Sequence, residues 1–407
     1  MNGYPRFGWV DILRFQHSNT PETKSHDLKN HTLAPNDSST INRLRLPLAI
    51  GVVFIHLNIS VSGRSIHWFQ FSDTDFYRLT ACMVVNELAN LAVPLFFVIS
   101  GYLFFRNIGL EAGRKELQQF YVSKLSSRTR SLLLPYIIFN LLAVIGLVSS
   151  LLVAGQSLSH AASQYLAGGK WLHCFWDIHH TGTSTNILGI SKLTAYPINI
   201  PLWFMRDLMV LTIFSPAIYY AIKWLRHWWI ALLLTLTLTN IWIPLPGFGV
   251  TCCLFFSIGA WFSLTGRSIA QQLNPHRWWL TIIATLLAFT DILCDGFAMD
   301  SFVHIAFLIT GVLSIYALAQ RCNHAARPWA AQASFFIFAT HTLPIICTGT
   351  RPVEWCKNLI WTNSTNGYLC CIQLITSALL TAAICLITFL MLNKLSPAFM
   401  NFITGRK

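Results

Sequence analysis

The segment 44–60 is the first stretch of the chain that is long and apolar enough to enter a membrane, and it contains two ionisable residues, Arg45 and His56. At a helical rise of about 1.5 Å per residue, they lie roughly 16 Å apart along the axis. Arg45 is then expected at one membrane surface and His56 near the middle of the bilayer. An ionisable group at that depth is costly, which indicates a functional site. The structural alternative is a neutral imidazole bonded to a neighbouring helix.

A histidine in a low-dielectric site stays neutral and can take a proton from a hydroxyl as that hydroxyl attacks an acyl carbonyl. His56 is therefore the candidate catalytic residue, with Arg45 on the same span. Arg128 and Arg130 form a second basic cluster just before a later apolar span. Guanidinium groups bind phosphates through paired hydrogen bonds, which predicts a site for a nucleotide-bearing cofactor. The alternative is that these two arginines only orient the span.

Charged residues of both signs are expected toward the outer ends of two spans, on the side of the membrane opposite to Arg45. Glu87 lies toward the outer end of the second span, and Trp203, Arg206 and Asp207 lie toward the outer end of the fourth. An unpaired charge at these positions is costly, so Arg206 and Asp207 are predicted to neutralise each other or Glu87. The same residues, together with His341 of a late span, are candidates for binding a polar acceptor.

The composition excludes a soluble globular protein. The 407 residues are 54% hydrophobic and only 11% charged, and the mean hydropathy is +0.53. The formal charge of +13 comes from basic residues in short loops beside apolar spans, where they set orientation, so nucleic acid is not an expected partner. Most of the eleven cysteines lie in or beside apolar spans, and the histidines and cysteine of loop 154–201 fit no established ligand spacing. No metal is therefore expected.

The pattern predicts an all-α, polytopic membrane protein with about ten transmembrane helices. Residues 1–42 are interpreted as a flexible cytoplasmic tail, 43–392 as the ten-span domain and 393–407 as a cytoplasmic C-terminal tail. Most lysines and arginines fall on one side of this topology, which predicts cytoplasmic N- and C-termini. The predicted spans are 44–60, 84–105, 132–153, 202–221, 228–243, 250–264, 278–294, 302–319, 334–347 and 368–392.

Several motifs, taken in this order, resemble the membrane-bound acyltransferase-3 family of bacterial surface-glycan O-acyltransferases. The resemblance begins with Arg45 and His56 and extends over roughly residues 43–392. The further motifs are VPLFFVISGYL at 93–103, RTR at 128–130 followed by SLLLPY, PLWFMRD at 201–207, FFSIGA at 255–260, and SFFIF at 334–338 followed by His341.

This resemblance implies an enzyme of the bacterial cytoplasmic (inner) membrane. It would take an acyl group, usually acetyl, from cytoplasmic acyl-CoA and deliver it to a hydroxyl of an extracytoplasmic glycan or lipid-linked sugar. By position, His56 corresponds to the essential histidine of the family and Arg45 to its partner, while Arg128 and Arg130 correspond to residues proposed to contact CoA. His56 would act as a general base or as a transient acyl carrier, and the sequence leaves both open.

The alternative function is a transporter that exports a glycan or a small solute. Transporters often consist of two repeated halves with broken helices at corresponding positions. Spans one to five and six to ten show no such repeat. The sequence therefore favours the acyltransferase.

Overall fold

The computed structural model describes residues 35–181, 194–243, 245–321, 328–362 and 364–405, and these residues are almost entirely helical. Their one sheet is a two-stranded antiparallel pair, in which His179 lies opposite Tyr196. The elements are α1 Pro35–Ile55, α2 Asp73–Ala81, α3 Ala92–Phe104, α4 Arg114–Arg128, α5 Leu134–Val153, α6 Leu158–Leu166, α7 Lys170–Trp176, β1 His179–Thr181, β2 Thr194–Tyr196, α8 Trp203–Leu225, α9 His227–Leu238, α10 Val250–Leu264, α11 Ile269–Leu273, α12 Arg277–Cys294, α13 Asp300–Ala319, α14 Pro328–Thr340, α15 Pro352–Ile360, α16 Gly367–Leu395 and α17 Pro397–Ile403.

Six helical segments within the described ranges are long and apolar enough to cross a membrane, and α9 and α10 are shorter apolar helices. Only 22% of the apolar window in Ile269–Cys294 is buried inside the protein, so most of that helix exposes apolar side chains, as a lipid-facing helix does. The predicted multi-span helical architecture is thus confirmed. The count of ten spans and the cytoplasmic termini stay predictions. The six segments are Asp73–Phe104, Arg114–Val153, Ile200–Leu225, Ile269–Cys294, Asp300–Ala319 and Gly367–Leu395.

Helix α1 starts earlier and ends earlier than the predicted first span. It begins at Pro35, and Asp37 in its first turn is fully buried. The Asp37 carboxylate accepts hydrogen bonds from the Tyr102 hydroxyl at 2.8 Å, the Tyr316 hydroxyl at 2.8 Å and the Ala270 backbone N–H at 2.9 Å. The boundary predicted at residues 42 and 43 is therefore wrong, since residues 35–42 belong to the folded helix. Residues 1–34 lie outside the described part of the chain.

The C-terminal boundary also changes. Helix α16 runs to Leu395, and α17 follows after Ser396 with Met400 and Ile403 buried. An ideal Cβ on Gly405 would lie 2.4 Å from the Arg130 carbonyl oxygen, so the chain end packs closely against the start of the α5 region. Residues 393–405 are helical rather than an extended tail, and Met400 and Ile403 pack into the core while Leu395, Phe399 and Phe402 stay exposed.

Helices α3 and α10 approach each other closely through glycine. An ideal Cβ on Gly101 would lie 2.0 Å from the Phe256 carbonyl oxygen, and one on Gly259 would lie 1.9 Å from the Val98 carbonyl oxygen. Only glycine fits at both positions, which is how small residues allow membrane helices to pack backbone to backbone. The two motifs that contain these glycines, 93–103 and 255–260, thus form one helix pair.

Candidate functional site

Two neighbouring helices, α1 and α14, each end immediately before a histidine. Helix α1 ends at Ile55 before His56, and α14 ends at Thr340 before His341. The two imidazole rings meet edge to face, with their centroids 4.8 Å apart and an interplanar angle of 71°. The structure therefore brings together the predicted catalytic histidine and a histidine from the distant motif at 334–341.

Both imidazoles are held in the same way. Nδ1 of His56 lies 2.8 Å from the Val52 carbonyl oxygen, and Nδ1 of His341 lies 3.0 Å from the Ile337 carbonyl oxygen. Because a carbonyl oxygen only accepts, Nδ1 donates in each bond, and the hydrogen-bond pattern assigns the unprotonated nitrogen to Nε2. Nε2 of His56 is thereby prepared to accept a proton.

The two helix ends add to this effect. The carboxyl end of a helix carries a partial negative charge, which stabilises a nearby cation. His56 and His341 each stand at such an end, so a proton taken up by His56 is stabilised by the peptide dipoles of its own helix. His341 is completely buried, and its Nε2 has no hydrogen-bond partner among the described residues.

The carbonyl groups freed at these two helix ends find partners elsewhere in the chain. Lys357 Nζ donates to the Leu57 carbonyl at 2.8 Å, and Asn199 Nδ2 donates to the Ala339 carbonyl at 3.0 Å. The backbone N–H of Val353 donates to the His341 carbonyl at 3.0 Å. A helix can end inside a membrane protein only where such partners satisfy its backbone. Neither Lys357 nor Asn199 belongs to a motif, so this role was not predictable from the sequence.

His56 lies on the wall of a cavity of about 720 Å³. We name this the outer cavity, and a second one the inner cavity, after the predicted orientation of the chain. Trp203, predicted as an acceptor residue, also lines this cavity. Two unpredicted residues join them, Arg351 and Glu354, whose side chains form an ion pair at 3.0 Å beside the start of α15. The Arg-Pro-x-Glu sequence at 351–354 is also a typical helix start. From the sequence alone it indicates a helix cap and not a binding site.

An inner cavity of about 130 Å³ lies beside Arg45 and Arg128. Ser131 and Thr404 add hydroxyl groups to its wall. The structure thus brings together the arginine of the first span and the first arginine of the RTR motif. Arg130 does not line this cavity, and its side chain is exposed. It falls in a turn of π-helix, Thr129–Leu133, and such turns are frequent at functional sites.

Two phenylalanines line both cavities. Phe204 on α8 and Phe338 on α14 contribute to the outer and to the inner cavity, and their rings meet edge to face with centroids 5.9 Å apart. These two rings therefore lie where the two cavities adjoin.

Arg206 and Asp207 do not face either cavity. Arg206 is 3% exposed and bonds the Asp207 carboxylate through Nη2 at 2.8 Å and through Nε at 3.0 Å. Arg206 Nη1 also donates to the Ala195 carbonyl at 3.0 Å. Their predicted mutual neutralisation is confirmed, and the pair fastens β2 to α8. Glu87 does not join them; it lies beside Asp291 and His304, near the outer ends of α12 and α13.

A sequence model of the acyltransferase-3 family, described as an acyltransferase domain, matches residues 39–392. The curated succinoglycan biosynthesis protein ExoH from Rhizobium meliloti (strain 1021) is 26% identical over 268 residues, which cover 64% of this chain and 62% of that relative. The chain thus matches less than two thirds of the length of this relative. No solved structure matches the chain.

Proposed function

Because the chain belongs to the acyltransferase-3 family, which its sequence matches over residues 39–392, we propose that it transfers an acyl group across a bacterial cytoplasmic membrane. The donor is cytoplasmic acyl-CoA, with acetyl as the proposed acyl group. The acceptor is a hydroxyl of an extracytoplasmic glycan or lipid-linked sugar. The observation that carries this proposal is that His56 lines the outer cavity and Arg45 and Arg128 line the inner one, while Phe204 and Phe338 line both.

The donor is proposed to bind on the inner side. Arg45 and Arg128 supply guanidinium groups for the phosphates of CoA, and Ser131 and Thr404 supply hydroxyl groups nearby. The thioester then reaches past Phe204 and Phe338 toward His56. Arg130, exposed beside this site, adds positive charge that attracts the anionic donor at long range.

The acceptor is proposed to bind in the outer cavity. Trp203 offers an aromatic face to a sugar ring, and the Arg351–Glu354 pair offers charged hydrogen-bonding groups. The relative ExoH is named as a succinoglycan biosynthesis protein, which supports a glycan as the acceptor class.

In a direct transfer, the acceptor hydroxyl attacks the thioester carbonyl carbon while His56 Nε2 takes its proton. The carbon–sulfur bond of the resulting tetrahedral intermediate breaks, and the proton passes from His56 to the leaving CoA thiolate. In the covalent alternative, Nε2 itself attacks the thioester carbonyl carbon, and the carbon–sulfur bond breaks to release the CoA thiolate. The acceptor hydroxyl then displaces the neutral imidazole from the acyl group, and the hydroxyl proton neutralises the thiolate. Both routes require an unprotonated Nε2 on the cavity wall, and the Nδ1 bond to Val52 favours that tautomer.

Membrane vesicles of known orientation test the function. We expect label from acyl-CoA supplied at the cytoplasmic face to appear as an ester on acceptor glycan at the opposite face. Mass analysis of the glycan then identifies the acyl group. Counterflow of unmodified solute without consumption of acyl-CoA would instead establish an exporter.

Replacement of Phe338 by alanine tests the proposed path between the cavities. We expect this change to raise acyl-CoA hydrolysis in the absence of acceptor several-fold, because removal of the ring joins the wet outer cavity to the donor site. Hydrolysis is measured as free CoA release from purified protein. The matched control is Phe335→Ala, since Phe335 lines only the inner cavity. Equal hydrolysis in the two variants would contradict a barrier role for Phe338.

A further inference from the structure

Three ionisable side chains from three helical segments meet near the outer ends of α12 and α13. They are Glu87, Asp291 and His304, and one potential ligand atom of each lies within 4.8 Å of the other two. His304 Nδ1 is 2.7 Å from Asp291 Oδ2. None of these contacts belongs to the histidine pair or to the inner cavity.

The two carboxylates are buried and incompletely satisfied. Glu87 is 3% exposed and Asp291 is 5% exposed. Among the described residues, Glu87 Oε2 and Asp291 Oδ1 have no hydrogen-bond partner. Two buried carboxylates side by side repel each other and have lost their water, so the cluster requires a proton or a cation to be stable.

The other charged groups nearby are already engaged. Asp295 Oδ2 accepts hydrogen bonds from the Ser62 hydroxyl at 2.6 Å and from the Gly63 N–H at 2.8 Å. Arg64 Nε donates to the Asp295 backbone carbonyl at 2.6 Å, and its Nη2 donates to the Gly296 carbonyl. Arg64 therefore bonds to the loop after α12 rather than to Glu87 or Asp291.

The backbone conformation brings the side chains of Glu87, Asp291 and His304 together. Glu87 lies in a turn of π-helix, Cys82–Leu88, which inserts an extra residue into the helical repeat and redirects the side chains that follow. Asp291 and His304 come from α12 and α13, an antiparallel pair joined by the short loop 295–299. Such turns in helices are frequent at functional sites, and here one brings a carboxylate to an aspartate and a histidine.

We propose that Glu87, Asp291 and His304 bind a divalent transition-metal ion, either Mn²⁺ or Zn²⁺. Two carboxylate oxygens and one imidazole nitrogen form a ligand set that both ions accept. The imidazole binds through Nδ1 as the neutral ring, so its proton moves from Nδ1 to Nε2 and the bond to the metal replaces the hydrogen bond to Asp291. Because His304 is partly exposed and lines the outer cavity, the ion directs its remaining coordination positions toward the occupant of that cavity.

Metal analysis of the purified full-length chain tests this site. The protein is prepared without a polyhistidine tag, treated with a chelator, incubated with Mn²⁺ or with Zn²⁺ and desalted. We expect about one ion per chain by elemental analysis, and a Mn²⁺ electron paramagnetic resonance signal of bound rather than hydrated ion. Loss of an outer-shell partner of a metal ligand costs about 10–100-fold in affinity, so loss of a ligand in Glu87→Gln or His304→Gln is expected to weaken binding by at least that factor.

The matched control is Asp300→Asn, which removes a neighbouring carboxylate that accepts a hydrogen bond from the Gly296 N–H and is not part of the cluster. This variant is expected to bind metal normally. The melting temperature of each variant is measured with and without metal. A variant whose metal-free melting temperature matches that of the metal-free wild-type chain is counted as folded. Absence of stoichiometric metal in the folded wild-type chain, or equal binding by Glu87→Gln, overturns the proposal and leaves a proton shared within the cluster.

Discussion

Replacement of His56 by alanine is expected to lower acyl transfer by about three orders of magnitude or more. General acid–base catalysis contributes about 10²–10⁴-fold, and loss of the imidazole also removes the covalent route. The measurement is transfer of labelled acyl group to acceptor glycan, normalised to the amount of protein in the membrane. His160→Ala is the matched control, because His160 is an exposed histidine on α6.

A second experiment distinguishes the two mechanisms proposed for His56. Incubation of the wild-type chain with acyl-CoA in the absence of acceptor, followed by intact-mass analysis, shows whether a covalent acyl group accumulates on the protein. An acyl adduct on the wild-type chain that is absent from His56→Ala supports the acyl-carrier mechanism. Absence of an adduct from both proteins supports the general-base mechanism. Normal transfer by His56→Ala at normal protein levels would refute both mechanisms.

Replacement of Arg128 by alanine is expected to weaken acyl-CoA binding by about 10–100-fold, since a hydrogen bond to a charged group contributes about 1.5–3 kcal/mol. Arg45→Ala is expected to have an effect of the same order, because both arginines line the inner cavity. Binding is measured by calorimetric titration of purified protein with acyl-CoA.

Arg130→Ala is the informative comparison for this prediction. Arg130 is exposed and outside the cavity wall, so we expect a smaller loss that disappears at high salt. Sequence reasoning treated Arg128 and Arg130 as equivalent members of one cluster. Equal losses for the two variants would show that the bound donor contacts both, and unchanged binding in Arg128→Ala would remove the donor role from the inner cavity.

The sequence predicts which residues share a helix better than it predicts how the helices are arranged. The spacing of Arg45 and His56 on one helix is a local property, and α1 does run unbroken from Arg45 to Ile55. The end of α1 at His56 is not a purely local property, since Lys357 from α15 donates a hydrogen bond to the Leu57 carbonyl. Contacts that arise only when distant helices pack leave no periodic pattern in the sequence.

The same reason explains the other differences. Asp37 reads as a polar residue in a polar segment, yet its three hydrogen-bond partners come from α3, α13 and the start of α11. Glu87 was a candidate partner of Arg206, but a turn of π-helix directs it to α12 and α13 instead. Arg206 and Asp207 were correctly paired because they are adjacent in the chain.

The glycine contact between α3 and α10 also determines which parts of the protein can move during a reaction cycle. With Gly101 and Gly259 each against the opposing backbone, these two helices cannot slide without a clash, so they act as a fixed frame. Phe204 and Phe338 stand on α8 and α14, outside that frame. If the proposed transfer occurs, passage of the acyl group requires rotation of the two rings or adjustment of α8 and α14. The α3–α10 pair would then stay fixed while the acyl group passes between the two cavities.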